Sequence, residues 1–513
     1  MRAARHRLAW GWAGLGLAGS LALSAAASQL LEDQPVRWWA HFELGSRALA
    51  QQLFWGGVVA LCLAWLGLGF ELYRDARARR RGADESREQA GALTPAWLAT
   101  LGAVWAAPLI AGPALFSRDM YSYLADGELL RAGLDPYTHA PAALASIHQL
   151  ALLHTVSPFW RHTTSPYGPL FVGLAAAIAA IYGGHIVLGV ILLRALEVVG
   201  VALVAVFVPR LARALGADAA WASWAVVISP LTLLELIAAG HNDALMAGLL
   251  ACGVYLAVRR RPLAAVAICA LATAVKLPAA AAAVMIGICW LRSGERPAGV
   301  IAKGAGVFIA VLAVLSAASG VGGRWLSGNL LSVPGKVHLA ITPATALGFS
   351  LHSLLRTVGA VQGASSLSYE AAFGHALTVL LVLVGLWLCW RTRYERLVSL
   401  LAALLLVAVL FGPATWPWYL PWGLVLVASL PGAQRSPWLV AVSVAPCFVV
   451  YPNGTVDLPL SSAPYVLAGY AAALALAGWW WRRGARSRRD RRAIPPLVQA
   501  GASARLGSAE VLR

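Results

Sequence analysis

Charge is scarce in this chain, and lysine is nearly absent. Only 12% of its 513 residues are charged, against about 25% in a soluble domain. Lysine occurs only at Lys276, Lys303 and Lys336. Cysteine is sparse too: Cys62, Cys252, Cys269, Cys289, Cys389 and Cys447 all fall in apolar stretches, with no CxxC and no Cys/His cluster. That spacing excludes a disulfide framework and a zinc site, and leaves small core residues. What the chain has instead is apolar sequence, at 60% hydrophobic residues and a mean hydropathy of +0.71. The apolar runs recur along almost the whole length, and each approaches the about 20 residues needed to cross a hydrocarbon core. Soluble enzymes, secreted scaffolds and disordered chains are excluded, and an all-α polytopic membrane protein is expected.

The net charge of +18 comes from arginine. Its tracts lie between apolar runs, as in cytoplasmic loops, so a nucleic-acid partner is not expected. With the basic N-terminus inside and the first run uncleaved, the tracts at 74–81, 210–213, 259–261, 292–296, 391–396 and 482–492 fall in the cytoplasm. Segments around 32–47, 117–166, 239–243, 276–278, 320–342, 413–419 and 451–463 then lie outside. This map predicts about 14 spans, with 13–15 compatible, and both termini cytoplasmic. Residues 167–183 are short for a crossing and predict a re-entrant or partly immersed helix, with a true crossing as the alternative; residues 343–359 are ambiguous in the same way. Residues 1–481 are expected to form one membrane domain, and 482–513 a basic, disordered tail.

Most of the external mass falls in 117–166, too long for a structureless connection. Leu144, Ile147, Leu150 and Ala151 share a helical face between prolines, which predicts short amphipathic helices on the outer membrane surface. Its densest polar cluster runs from Ser117 to His139. Asp119 stands just past the end of a span, where a carboxylate could meet a lipid-linked substrate. One carboxylate suffices to take a hydroxyl proton as that oxygen attacks an anomeric carbon. Pairing with Arg118, or capping the next helix, would explain Asp119 equally well.

Other polar groups lie on the same face. Gly240-His241-Asn242-Asp243 joins two apolar runs and need only be a turn. Lys276, followed by Pro278, sits where a lysine either snorkels or meets an anion such as a lipid phosphate. Trp416, Trp418 and Trp422 read as an aromatic belt or as platforms for a sugar face. Arg194 and Glu197, at i and i+3, read as a self-neutralising buried pair. Glu235 serves the external site or bonds within the bundle. His139, His148, His154 and His162 lack tight ligand spacing, so neither a metal nor another cofactor is expected.

FSRDMYSYLADGELLRAGLDPYTHAP, VSPFW, SPYGPLF, SPLTLLELIAAGHNDALMAGLL and AVKLPAAAA follow one another in an order that resembles the GT-C superfamily. More narrowly, the chain from about 95 to 430 is similar to the polyprenyl-phosphomannose-dependent α-1,6-mannosyltransferases of lipomannan and lipoarabinomannan synthesis. The Arg-Asp-Met-Tyr-Ser-Tyr and Gly-Leu-Asp-Pro-Tyr blocks carry most of that likeness. The resemblance implies a GT-C helical fold with an external active site on the plasma membrane, and a lipid-phosphate mannose donor. The acceptor would be a lipid-anchored mannan or a phosphatidylinositol mannoside, and the base the aspartate matching Asp119. Where the superfamily often has paired acids, Arg118 precedes Asp119, so a second acid would come from Asp126, Glu128 or Asp243. Lys276 and Arg118 are the expected donor-phosphate ligands. Sugar or acceptor contacts are expected from Tyr121, Tyr123, Asp126, Asp135, Tyr137, Tyr167, His241, Asn242, Asp243, Trp416 and Trp418. Relatives with other lipid-phosphate sugars share the scaffold. A transporter would instead place its charges at mid-bilayer on broken helices.

Overall fold

The computed structural model describes residues 2–31, 44–79, 93–326, 343–360, 366–412, 415–433, 436–455, 464–469, 471–472 and 475. Every regular element among them is helical. In chain order these are α1 (Arg2–Leu30), α2 (Arg47–Arg79), α3 (Pro95–Ala111), α4 (Asp119–Arg131), α5 (Leu150–Thr155) and α6 (Pro169–Tyr182). Next come α7 (Ile186–Ala214), α8 (Ala219–Val226), a π-helical turn (Thr232–Ala238), α9 (Asp243–Val258), α10 (Pro262–Val275), α11 (Ala280–Leu291) and α12 (Pro297–Ala318). The last are α13 (Pro343–Thr357), α14 (Ser366–Arg391), α15 (Leu397–Phe411), α16 (Pro421–Val427) and α17 (Pro437–Val444). Proline opens α3, α6, α10, α12, α16 and α17. There its missing N–H costs nothing and its fixed φ suits the first turn. The tail 482–513 and Lys336 lie outside the described residues.

Among the described residues, five helices are long and apolar enough to cross a membrane: Arg7–Leu30, Arg47–Ala76, Ile186–Ala214, Pro297–Ala318 and Tyr394–Phe411. A sixth is possible if the π turn and α9, bent by 115°, count as one broken span. Six further apolar helices among the described residues are shorter, at 10–17 residues: Pro95–Ala111, Pro169–Tyr182, Pro262–Val275, Leu277–Leu291, Val379–Arg391 and Pro437–Phe448. The described residues are all-helical in their regular structure and belong to a membrane-embedded chain. At about 1.5 Å per residue, the 14 residues of α6 rise about 21 Å, short of the about 30 Å hydrocarbon thickness.

α7, α9 and α10 pack in the middle, and α4 lies against α6 and α7. The surface-lying helices expected in 117–166 are not what the start of that segment forms. Every residue of α4 from Asp119 to Leu129 is buried. Gly127 explains how a helix this polar goes in: a Cβ there would stand 2.3 Å from the Ala175 carbonyl oxygen of α6. With hydrogen in its place, the two backbones can touch. The turn before α4 is equally constrained. Phe116 adopts φ +62°, a left-handed conformation costing about 1–2 kcal/mol in an L residue. Its amide bonds to the Pro452 carbonyl, while that of Leu115 bonds to Ala238. Arg194 clamps the same turn from α7, donating to the carbonyls of Ile110 (2.9 Å), Gly112, Pro113 (2.8 Å) and Ala238 (2.7 Å). Its donors serve backbone oxygens where the i, i+3 spacing predicted a pair with Glu197. A buried guanidinium with several carbonyl acceptors ties three segments together at one point.

Candidate active site

The strained turn delivers Asp119 to the first position of α4, where Ser117 Oγ accepts its amide hydrogen (3.0 Å). The carboxylate faces a cavity of about 140 Å³. Its walls come from α4 (Asp119, Ser122, Asp126), from the second half of the long loop (Trp160, Thr163, Thr164, Ser165, Tyr167) and from the α10–α11 junction (Lys276, Leu277, Pro278). Trp416, Trp418, Tyr419 and Trp422 close the remaining side. Segments as far apart in sequence as Asp119 and Trp422 thus meet around one space.

Burial raises the Asp119 carboxyl to about 6, against the opposing pull of Lys276 and of hydrogen bonds from Ser117 and Trp160. Asp126, two turns along the same helix, is raised by burial to about 7, with a Ser165 hydrogen bond opposing. A carboxylate held this high accepts a proton far more readily than a solvated one.

Lys276 follows the last residue of α10 in extended backbone, φ −152°. It does not snorkel. Its Nζ donates to both Asp243 oxygens, at 2.8 and 2.9 Å, and lies 4.5 Å from the centre of the Tyr419 ring. Trp422 Nε1 donates to Asp243 as well, at 2.6 Å. An ammonium has three donors, so this pairing leaves one for a ligand. Among the described residues lining the cavity, Lys276 is the one cation.

His241, Asn242 and Asp243 form no exposed outer turn. All three are fully buried at the 115° break between the π turn and α9. Gly240 makes that break possible with φ +73°, and a Cβ on it would strike the Met120 Cε methyl at 2.1 Å. His241 Nε2 stands 3.7 Å from Asp119 Oδ2, and its ring stacks on Trp418 with centroids 3.9 Å apart. Trp416 stacks on Trp418 at 4.6 Å. Two nearly parallel rings that close cannot share one face, so both faces of Trp418 are covered. The belt expected at an interface is an interior stack, with Trp416 and Trp418 each 6% exposed. Trp418 offers a ligand its edge, not a stacking platform.

Of the residues singled out from sequence, Asp119, Asp126, Tyr167, Lys276, Trp416 and Trp418 line the cavity, and His241 and Asp243 stand directly behind it. Arg118, Tyr121, Tyr123, Asp135, Tyr137 and Asn242 are not in its walls. Tyr123 packs edge-on against Tyr167 at 5.0 Å, and Tyr137 donates to the Tyr167 carbonyl at 2.8 Å, so both hold a wall residue in place. Asp135 accepts from the Tyr137 amide and pairs with Arg324 at 3.1 Å. Tyr121 is fully buried beside Arg194. Asn242 is fully buried with neither amide atom hydrogen-bonded. Trp160, Ser122, Ser165 and Tyr419, which also line the cavity, were not singled out as site residues, and Trp422 was read with Trp416 and Trp418 as a belt or a sugar platform. Ser122 and Trp160 fall in the Arg-Asp-Met-Tyr-Ser-Tyr and VSPFW blocks, Ser165 in the Thr-Thr-Ser-Pro-Tyr run, and Tyr419 and Trp422 in the aromatic run of 416–422. Among the described residues, no group of three or more His, Cys, Asp or Glu side chains could hold a metal.

Comparison with known proteins gives this arrangement its class. A family model described as alpha-(1->6)-mannopyranosyltransferase, N-terminal domain, matches residues 9–292, and one for the MptB C-terminal domain matches residues 344–483. The chain is 34% identical over 508 residues to alpha-(1->6)-mannopyranosyltransferase A of Mycobacterium tuberculosis, covering 95% of this chain and 93% of that one. It is 31% identical over 425 residues to the protein of the same name from Corynebacterium glutamicum, covering 77% and 81% of the two chains. No solved structure matches. The protein is a membrane glycosyltransferase. More narrowly, it belongs to the alpha-(1->6)-mannopyranosyltransferase family, the Mpt type, and transfers mannose.

Proposed function

We propose that the chain transfers mannose from a polyprenyl-phosphate donor to a growing lipid-anchored α-1,6-mannan on the outer face of the plasma membrane, with inversion at the anomeric carbon. Asp119 is the general base, and Lys276 binds the departing phosphate. The observation carrying this reading is the cavity itself, where a buried carboxylate raised to about 6 and a lysine held by Asp243 share one apolar, aromatic-walled space. In such a site a hydroxyl proton has an acceptor near its working pH, and the charge growing on phosphate has a fixed cation. Tyr167, Trp416 and the edge of Trp418 offer surfaces for the sugars. The scaffold is of the GT-C kind with about 14 crossings, its termini cytoplasmic and the 117–166 loop external. Residues 1–481 form one domain and 482–513 a basic tail. Another lipid-phosphate sugar as donor, or a phosphatidylinositol mannoside as acceptor, would use the same groups.

The test is transfer by the purified full-length protein in lipid vesicles. Radiolabelled polyprenyl-phosphate-mannose and a synthetic α-1,6-dimannoside should give an α-1,6-linked trimannoside. Direct use of GDP-mannose with no lipid donor would overturn the donor assignment.

A further inference from the structure

The Asp119 carboxylate has a neighbour whose arrangement fits neither sugar binding nor simple packing. His241 is fully buried and does not line the cavity. Its ring is pinned twice, by the Trp418 stack at 3.9 Å and by a 2.6 Å contact from Nδ1 to the Glu235 carbonyl oxygen. A carbonyl oxygen only accepts, so Nδ1 carries the hydrogen and Nε2 presents a bare lone pair. That Nε2 has no hydrogen-bond partner. It points at Asp119 Oδ2, 3.7 Å away, and such contacts commonly tighten only when substrate is bound. A lone pair facing a carboxylate gains nothing while the carboxylate is ionised. It gains a hydrogen bond once the carboxylate is protonated.

We propose that His241 is a positioning residue that sets the basicity of Asp119, its Nε2 accepting the O–H of the Asp119 carboxylic acid formed during transfer. The inference rests on the general-base reading above. As the acceptor oxygen bonds to the anomeric carbon, the bond from that carbon to the phosphate oxygen breaks and its electron pair leaves on phosphate. The acceptor's proton passes to Asp119 Oδ2, where Nε2 receives it as a hydrogen bond, and it later leaves to water through the cavity. His241 stays neutral throughout. The other groups facing Asp119 do not take this role. Lys276 is an opposite charge that favours the ionised form, and Asp243 is already bonded to Lys276 and Trp422. Tyr123, Tyr167 and Tyr419 also face it, and a neutral phenol, having an O–H to donate, favours the carboxylate over the acid.

His241→Phe tests this, since phenylalanine keeps a ring for the Trp418 stack and removes both nitrogens. Wild-type turnover should rise with pH through a limb near pH 6, the region to which Asp119 is raised. In His241→Phe the neutral acid loses its acceptor, so the limb should move about one unit to lower pH and kcat should fall about ten-fold. The donor KM should stay within about two-fold, because no donor contact is removed. An unchanged limb and kcat in a folded variant would overturn the inference. Asp119→Asn separates the two failures: if it is inactive while His241→Phe is unshifted, only the present inference falls; if Asp119→Asn turns over, the general-base reading falls with it. Should His241→Phe not fold, or be inactive, nitrogen-15 spectra of histidine-labelled wild-type protein decide. Support is a ring protonated at Nδ1 whose Nε2 resonance follows the acid limb and loses that dependence in Asp119→Asn. A ring protonated at Nε2, or an Nε2 resonance flat across the limb, overturns it.

Discussion

Asp119 is polar in type and buried in fact, and its chemistry follows from that conflict. A carboxylate at a helix start would ordinarily cap the helix or pair with Arg118, its neighbour in sequence. Here the left-handed Phe116 turn carries it into the interior, 9% exposed, against His241. Burial makes the ionised form costly, which is what makes it a useful base. Asp119→Asn keeps the shape and cannot take a proton, so transfer should fall about 10²–10⁴-fold while the protein folds and inserts normally. Rates of mannose transfer, with size-exclusion profiles as the folding control, check this. The aspartate was legible as a candidate because its type and place after a span pointed to it. His241 was legible as part of a polar turn and, through the family likeness, as a sugar contact, but not as a neighbour of Asp119, since nothing local foretells which side of a 115° break it will face.

Between elements, the Asp243–Lys276 pair joins the start of α9 to the end of α10, and Trp422 adds the segment of α16. Removing one member of such a pair leaves a buried charge without its partner, which costs about 3–5 kcal/mol. Lys276→Met should therefore lower thermal stability as well as donor use. Lys276→Met with Asp243→Asn should recover most of the stability and none of the donor affinity. Thermal melts set beside donor KM separate the two effects, and a double variant that regains donor affinity would show that Lys276 is only a strut. The partners stand 33 positions apart, beyond the reach of any helical periodicity. Sequence could supply the need for an anion near Lys276 and not the identity of the one that meets it.

For the whole molecule, the arginine tracts make a definite statement about sidedness. A cysteine placed at Ala145, an exposed position of the long loop, should react with a membrane-impermeant maleimide added to intact cells. One at Arg80 should react only after permeabilisation. The reverse pattern would put the cavity on the cytoplasmic side and make a nucleotide-sugar donor the better reading. The family likeness and this map are independent of each other, so agreement between labelling and the lipid-donor assay would join two separate arguments.

The sequence by itself determined the solvent, the helical class, the absence of a disulfide framework, and the residue types around which a transferase site could form. It could do so because hydrophobicity, charge and motif order are properties of the chain read locally. The tertiary structure alone decided that α4 is buried, that the aromatic run of 416–422 packs inward, and that Arg194 serves backbone carbonyls. It also decided that Lys276 is held by Asp243 and that His241 faces Asp119. Each of these depends on a close approach between distant segments, permitted by Gly127 in one case and by the Gly240 turn in another. Local periodicity carries no information about such approaches, because the contacts that make them favourable exist only once the bundle has formed.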